Sequence, residues 1–191
     1  MRRTPTALIG LGLLTLSACS GSADPSPPRS SSPPAPTSTA PTPSSSPTPT
    51  VPAMPDAAKA HTKAGAKAFA KYFSAVVNYA QQSGQTDAVT HLAIPGCVGC
   101  EAGVRAIETV YRAGGRIVGG DSTVSDATVE LSWLGDDAVA RVTVTMTNAV
   151  EVDDYPGTTK DVERASSTVR NALLLRQIDG AWRVAQIEAP R

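Results

Sequence analysis

Cys97 and Cys100 stand three positions apart and are the sharpest chemical signal in the chain. A cysteine at a helix N-terminus has a depressed pKa and can exchange with other disulfides, so one reading of the pair is a thiol-redox site. A thioredoxin-type site follows a strand within a βαβ unit, whereas a helix and the Pro95-Gly96 loop are expected before this pair. Zinc would need two further ligands, and the sequence holds only His61 and His91. The favoured reading is a structural disulfide across the first turn of a helix, formed in an oxidising compartment. Closing so small a loop stabilises little through chain entropy, so the bridge would serve to hold the Pro95-Gly96 corner against the helix. His91, just before that corner, could act as an acid or base near neutrality. Its plainer role is structural. Lys59, Lys63, Lys67 and Lys71 recur every four residues, a basic surface stripe suited to anionic headgroups or wall phosphate, or simply a solvated helix face. Glu151, Asp153, Asp154, Asp161 and Glu163 lack the order of an EF-hand and read as an acidic surface loop. No metal or other cofactor is expected.

These residues sit in a chain of 191 with 17 Lys+Arg, 17 Asp+Glu, three Cys and eight aromatics. Such a charge balance argues against nucleic acid as a partner, since such binders carry a strongly basic domain. The N-terminus is a different kind of sequence. Arg2 and Arg3 precede an apolar run from Ala7 to Leu16, too short for the roughly 20 residues of a membrane-spanning helix and of the length of an export signal core. The run ends in Leu16-Ser17-Ala18-Cys19, which resembles the lipobox of bacterial lipoproteins. Residues 1–18 are then a signal peptide, and Cys19 is the lipidated first residue of the mature protein. Two or three acyl chains at Cys19 give stable anchoring where a single chain is marginal. The expected location is the extracytoplasmic face of a cell membrane.

From Ser20 to Pro55, Pro, Ser and Thr make up 27 of 36 residues. Apolar residues are almost missing there, so no core can form, and the segment is expected to be a disordered spacer with polyproline-II character. Residues 56–191 hold all eight aromatics and 30 of the 34 charges, with a net charge of −2. A length of 136 residues suits one domain with one core. Asp56 is placed to cap a helix from Ala57, whose Phe69, Phe73, Val76 and Ala80 recur at helical spacing until Ser83-Gly84. A short helix over Thr86–Leu92 and a third from Val98 to Ala113 follow. The period then changes to two: Val129, Leu131 and Trp133 alternate with polar residues, as do Val142, Val144 and Met146. A polar loop is expected from Asp153 to Asp161. A long strand then carries Val169, Asn171, Leu173 and Leu175, and Asp179-Gly180 is a strong hairpin signal before Trp182, Val184 and Ile187. Helices first and a meander afterwards define an α+β fold with helices packed on one face of an antiparallel sheet.

The element order, with Leu174-Leu175-Arg176-Gln177-Ile178-Asp179-Gly180-Ala181-Trp182-Arg183-Val184 at its end, resembles the nuclear-transport-factor-2-like (SnoaL-like) superfamily. More narrowly, Lys71-Tyr72-Phe73, Asn78-Tyr79-Ala80, Cys97-Val98-Gly99-Cys100 and Tyr111-Arg112-Ala113-Gly114-Gly115 resemble a group of actinobacterial lipoproteins of unknown function. The resemblance covers residues 56 to 188 and implies a cone with a strongly curved antiparallel sheet around a pocket. It assigns no catalytic residue. Tyr72, Phe73, Val76, Trp133, Val144, Met146, Asn171 and Trp182 are the pocket-lining candidates, with Gln186 a further polar point. None of them is ionisable except Tyr72, and an apolar pocket with one or two polar points suits binding better than catalysis. The expectation is therefore a membrane-anchored protein whose domain binds a small apolar ligand or a cell-envelope partner. A cavity enzyme of isomerase or lyase type, using His91, and a thiol-redox module at Cys97/Cys100 are the alternatives.

Overall fold

An apolar face that recurs along 21 residues, from Lys63 to Ser83, sets the architecture of the domain. In the computed structural model, which describes residues 48–158 and 161–188, this segment is helix α1. Ala66, Phe69, Phe73, Val76 and Ala80 lie on one side of it and are essentially inaccessible to water. The signal segment, Cys19 and the spacer up to residue 47 lie outside the described residues.

The helix starts later than the sequence suggests. Asp56 does not cap it: Asp56–Lys59 is a single 3-10 turn, and the Asp56 carboxylate accepts a 2.7 Å hydrogen bond from Lys59 Nζ. Thr62 is the cap, its Oγ1 accepting from the backbone N–H of Gly65 at 3.0 Å. Tertiary contacts explain the break. Ala60 is held extended because its carbonyl accepts a 2.9 Å bond from Trp182 Nε1, while His61 Nε2 lies 3.1 Å from the Gly180 carbonyl. The chain doubles back so tightly here that a Cβ on Gly65 would lie 1.9 Å from the Ala60 carbonyl oxygen. Lys59 therefore stands apart from α1, which carries only Lys63, Lys67 and Lys71 of the four-lysine stripe.

Gly84, at φ 74°, ends α1. Helices α2 (Asp87–Leu92) and α3 (Val98–Arg112) follow close to their expected positions. Strands β2 (Ser122–Leu134), β3 (Asp137–Asn148), β6 (Ser167–Ile178) and β7 (Ala181–Glu188) form an antiparallel sheet in the order β2-β3-β6-β7. Asp179 and Gly180 both adopt positive φ, as a two-residue type I′ hairpin requires. A second antiparallel sheet, in the order β1-β4-β5, joins Arg116–Gly119, Glu151–Asp154 and Val162–Arg164. The polar stretch expected to be a loop is thus partly strand, since β4 runs through Asp153 and Asp154. Ile117 in β1 is expected from the sequence to begin a strand, whereas alternation did not reveal β4 and β5 because they are three or four residues long and bear charges. Arg164 bonds both Glu151 and Asp153 across the β4–β5 pair, each at 2.7 Å, and Arg116 Nε reaches Asp154 Oδ2 at 2.6 Å.

Helix α1 lies on β2 and β3, and α3 on β7 and β1. The outer edge of β7 is engaged by the α2–α3 connection, where Ile94 N–H donates to the Val184 carbonyl at 2.9 Å. Two irregularities alter which side chains face the helices. Register shifts between Val124 and Asp126 in β2, and opposite Leu174 and Leu175 in β7. Each inserts a residue and reverses the in–out alternation beyond it. Inward positions on β7 therefore run Trp182, Val184, Ile187, and Gln186 is exposed rather than inward. Among the described residues no helix is long and apolar enough to cross a membrane.

The bond from Trp182 to Ala60 predicts a specific weakness. Trp182→Phe keeps an apolar ring but leaves the Ala60 carbonyl unpaired. The expected loss is about 1–3 kcal/mol in urea unfolding. Hydrogen exchange should quicken first at residues 58–62, before the sheet is affected.

Candidate ligand cavity

Phe73 and Ser74 on α1 face away from solvent at the point where the helix crosses β3 and β6, and the space beneath them is not filled. A cavity of about 140 Å³ lies here. From above it is walled by Ala70, Phe73, Ser74 and Val77, and from the sheet by Val144, Met146, Asn171 and Leu173. Ser122 and Ile187 complete the lining, brought in by the start of β2 and the end of β7. The strand register explains the grouping. Val144 pairs with Asn171, Val142 with Leu173 and Met146 with Val169, so alternate residues of two neighbouring strands share the inner face.

Polar groups at this site differ in how they are satisfied. Asn78 clamps the start of β2 to α1: its Nδ2 donates to the Ser122 carbonyl at 3.0 Å and its Oδ1 accepts from the Ser122 N–H at 2.9 Å. Ser74 Oγ lies 3.4 Å from the same carbonyl. Asn171 differs. Its side-chain amide has no hydrogen-bond partner among the described residues, although it borders an otherwise apolar space. None of the ten lining residues is ionisable.

Phe73, Val144, Met146 and Asn171, of the eight residues proposed from the sequence, meet at this cavity. The other four do not line it. Tyr72 sits on the flank of α1, its ring 6.4 Å from that of Phe69. Val76 is sealed in the core beneath α1. Trp182 is buried with its indole spent on Ala60. Trp133 is 59% exposed because it lies on β2, the edge strand of the sheet, while Ala138, Gln177 and Trp182 at the same level of the inner face are buried. Ser74 and Val77 were legible as helical neighbours of Phe73. Nothing local marks Ser122, which arrives through Asn78, or Ile187, whose facing depends on the β7 bulge.

The remaining chemical candidates lie elsewhere. His91 is exposed on the last turn of α2 and does not border the cavity. Glu151, Asp153 and Asp154 are taken up by Arg164 and Arg116, and Asp161 accepts from the Tyr155 N–H at 3.0 Å. The Arg164 guanidinium has its pKa raised, chiefly by the hydrogen bond to Asp153, so the cluster keeps its positive member. No group of side chains suited to a metal ion occurs among the described residues. Tyr111, whose hydroxyl donates to the Gln81 carbonyl at 2.7 Å, has its pKa raised by burial, so this donor keeps its proton well into the alkaline range. Cys97 and Cys100 are joined by a disulfide with an S–S distance of 2.01 Å, and both residues are buried. Cys97 is the N-cap residue of α3, and its sulfur lies 3.3 Å from the Cys100 N–H.

Fold and cavity together define an α+β domain with helices on antiparallel sheets and a half-open apolar cavity. The chain belongs to DUF6318, a family of unknown function, whose model matches residues 40–188 and so begins inside the Pro/Ser/Thr-rich stretch. Its fold is similar to that of the intermembrane space region of the chloroplast protein ARC6, with a TM-score of 0.50 and 10% sequence identity over 68% of this chain and 98% of that one. No curated protein matches the sequence.

Replacing Cys97 and Cys100 together with Ser tests the role of the bridge. Loop-closure entropy for so short a loop is at most about 2 kcal/mol. The double variant should lose no more than that in chemical unfolding, and its cavity should retain any ligand that the native protein holds.

Proposed function

We propose that this is a binding protein of the cell envelope, anchored to the outer face of the membrane by acyl chains on Cys19. The spacer 20–55 holds the domain 56–191 away from the lipid. The domain takes a small, largely apolar ligand between α1 and the β3–β6 pair. One observation carries the ligand reading: an apolar cavity is bordered by the Asn171 amide, and that amide lacks a protein partner. The amide is within reach of water and is the polar point at which a ligand's head group can be hydrogen-bonded and oriented. The lining has no ionisable side chain to move a proton, so it suits capture rather than turnover.

The anchor rests on the sequence from Arg2 to Cys19. A cell-envelope protein partner is the second reading, favoured by Trp133 and Leu134, exposed by 59% and 64% at the end of the β2–β3 hairpin.

Native mass spectrometry of the full protein, extracted from its host in mild detergent, tests the ligand. A non-covalent mass that disappears on denaturation is expected, at lower occupancy in Asn171→Leu. A bare protein from every preparation would overturn the reading. For the anchor, Cys19→Ser should shift the protein from the membrane fraction to the soluble fraction and remove the mass of two or three acyl chains. Unchanged membrane partitioning would refute lipidation at Cys19.

A further inference from the structure

We propose that the ligand is a single unbranched hydrocarbon chain with a hydrogen-bonding head group, its head at Asn171 and its tail running under α1 to α3. This rests on the ligand reading above and adds the shape and polarity of the occupant.

The cavity beside Asn171 does not end at its inner wall. A second cavity of about 100 Å³ lies beyond it, and Phe73, Val77 and Ile187 border both. Their side chains form the partition, and two of the three, Val77 and Ile187, are only half-buried. Polarity falls along this path. The outer cavity has the Asn171 amide and the Ser74 hydroxyl at its border. The inner one is bounded by Val89, Val104, Ile107 and the disulfide-bonded Cys100, with no hydroxyl, amide or charged side chain. Such a space does not hold ordered water, which needs two to four polar partners.

Size then selects among apolar ligands. The outer cavity is half open and its volume of about 140 Å³ is close to that which holds one benzene ring, so an occupant longer than that must reach past the partition to stay out of water. Fused rings cannot pass a partition of three side chains into a second space of about 100 Å³. A flexible chain one methylene wide can.

Helix α3 leaves room for the end of that chain. Gly99 is docked closely on β7, where an added Cβ would lie 3.0 Å from Ile187 Cβ. One turn later Gly103 also borders the inner cavity, yet a Cβ there would meet nothing within 4 Å. Glycine in a helix interior is disfavoured relative to alanine, and no neighbouring atom demands it at this position. The helix is thus pinned at Gly99 and stands off at Gly103, which leaves the inner cavity a way out.

Straight-chain primary alcohols from hexanol to tetradecanol, titrated calorimetrically into the full protein, test this. Affinity should rise about fourfold per methylene once the outer cavity is filled, because each buried methylene contributes a fixed increment. Gly103→Leu, a substitution into open space on a helix, should stop that rise at a shorter chain without weakening hexanol. A terminal diazirine on the longest alcohol should label α3 around Ile107, and on hexanol the wall formed by Phe73 and Met146. If hexanol binds but affinity is flat with length and both probes label the same wall, the chain proposal fails while the ligand reading survives. If no alcohol binds and native mass spectrometry finds no adduct, both fail.

Discussion

Burial of one face of α1 is the constraint on which the rest of the domain depends. Seven apolar residues from Ala66 through Ala80 are removed from water in a helix packed on β2 and β3. Burying that much apolar surface is the main favourable term available to a domain of this size. The two ends of the helix are held by polar bonds rather than by apolar packing alone. At its start, Trp182 ties the incoming segment to the β6–β7 hairpin through Ala60. Toward its end, Asn78 clasps both backbone groups of Ser122, and Tyr111 reaches the Gln81 carbonyl from α3. Between these fastenings lies the cavity, bordered by Ala70, Phe73, Ser74 and Val77 of the helix.

Charge is kept out of that cavity and concentrated on the smaller sheet. Asp153 is 4% exposed yet shares Arg164 with Glu151, so a buried carboxylate has its counter-ion beside it. A buried charge without a partner is expensive, and pairing across two short strands lets sequences too polar for a core form part of the fold. The two sheets divide the labour. One sheet encloses apolar space, and the other closes the fold through ion pairs.

A bulge in β7 accounts for one difference between the sequence pattern and the cavity wall. Reading alternate residues from Val142 to Met146 places Val144 and Met146 on the inner face, as observed, because β3 is regular there. The same rule applied to β7 puts Gln186 where Ile187 lies. One inserted residue reverses every position after it, and nothing in the local composition announces the insertion. Trp133 fails for another reason. Its alternation is intact, but β2 is the edge strand, so its inward residue stays open to water while Ala138 beside it is buried. The acidic run near Asp153 was opaque because short charged strands have no period to detect.

The sequence by itself determined the helical spans, the long meander and the Asp179-Gly180 turn. These depend on residues close together in the chain: an apolar period, a cap, a pair of residues tolerant of positive φ. Tertiary structure alone decided where α1 begins, since Ala60 is held out of the helix by a tryptophan 122 residues away. It also decided which side chains border the cavity, since Ser122, Asn171 and Ile187 converge only when α1, β6 and a bulged β7 meet. Local propensity depends on neighbours in the chain. The cavity, and the amide at its border, come from how distant surfaces fail to fill the volume between them.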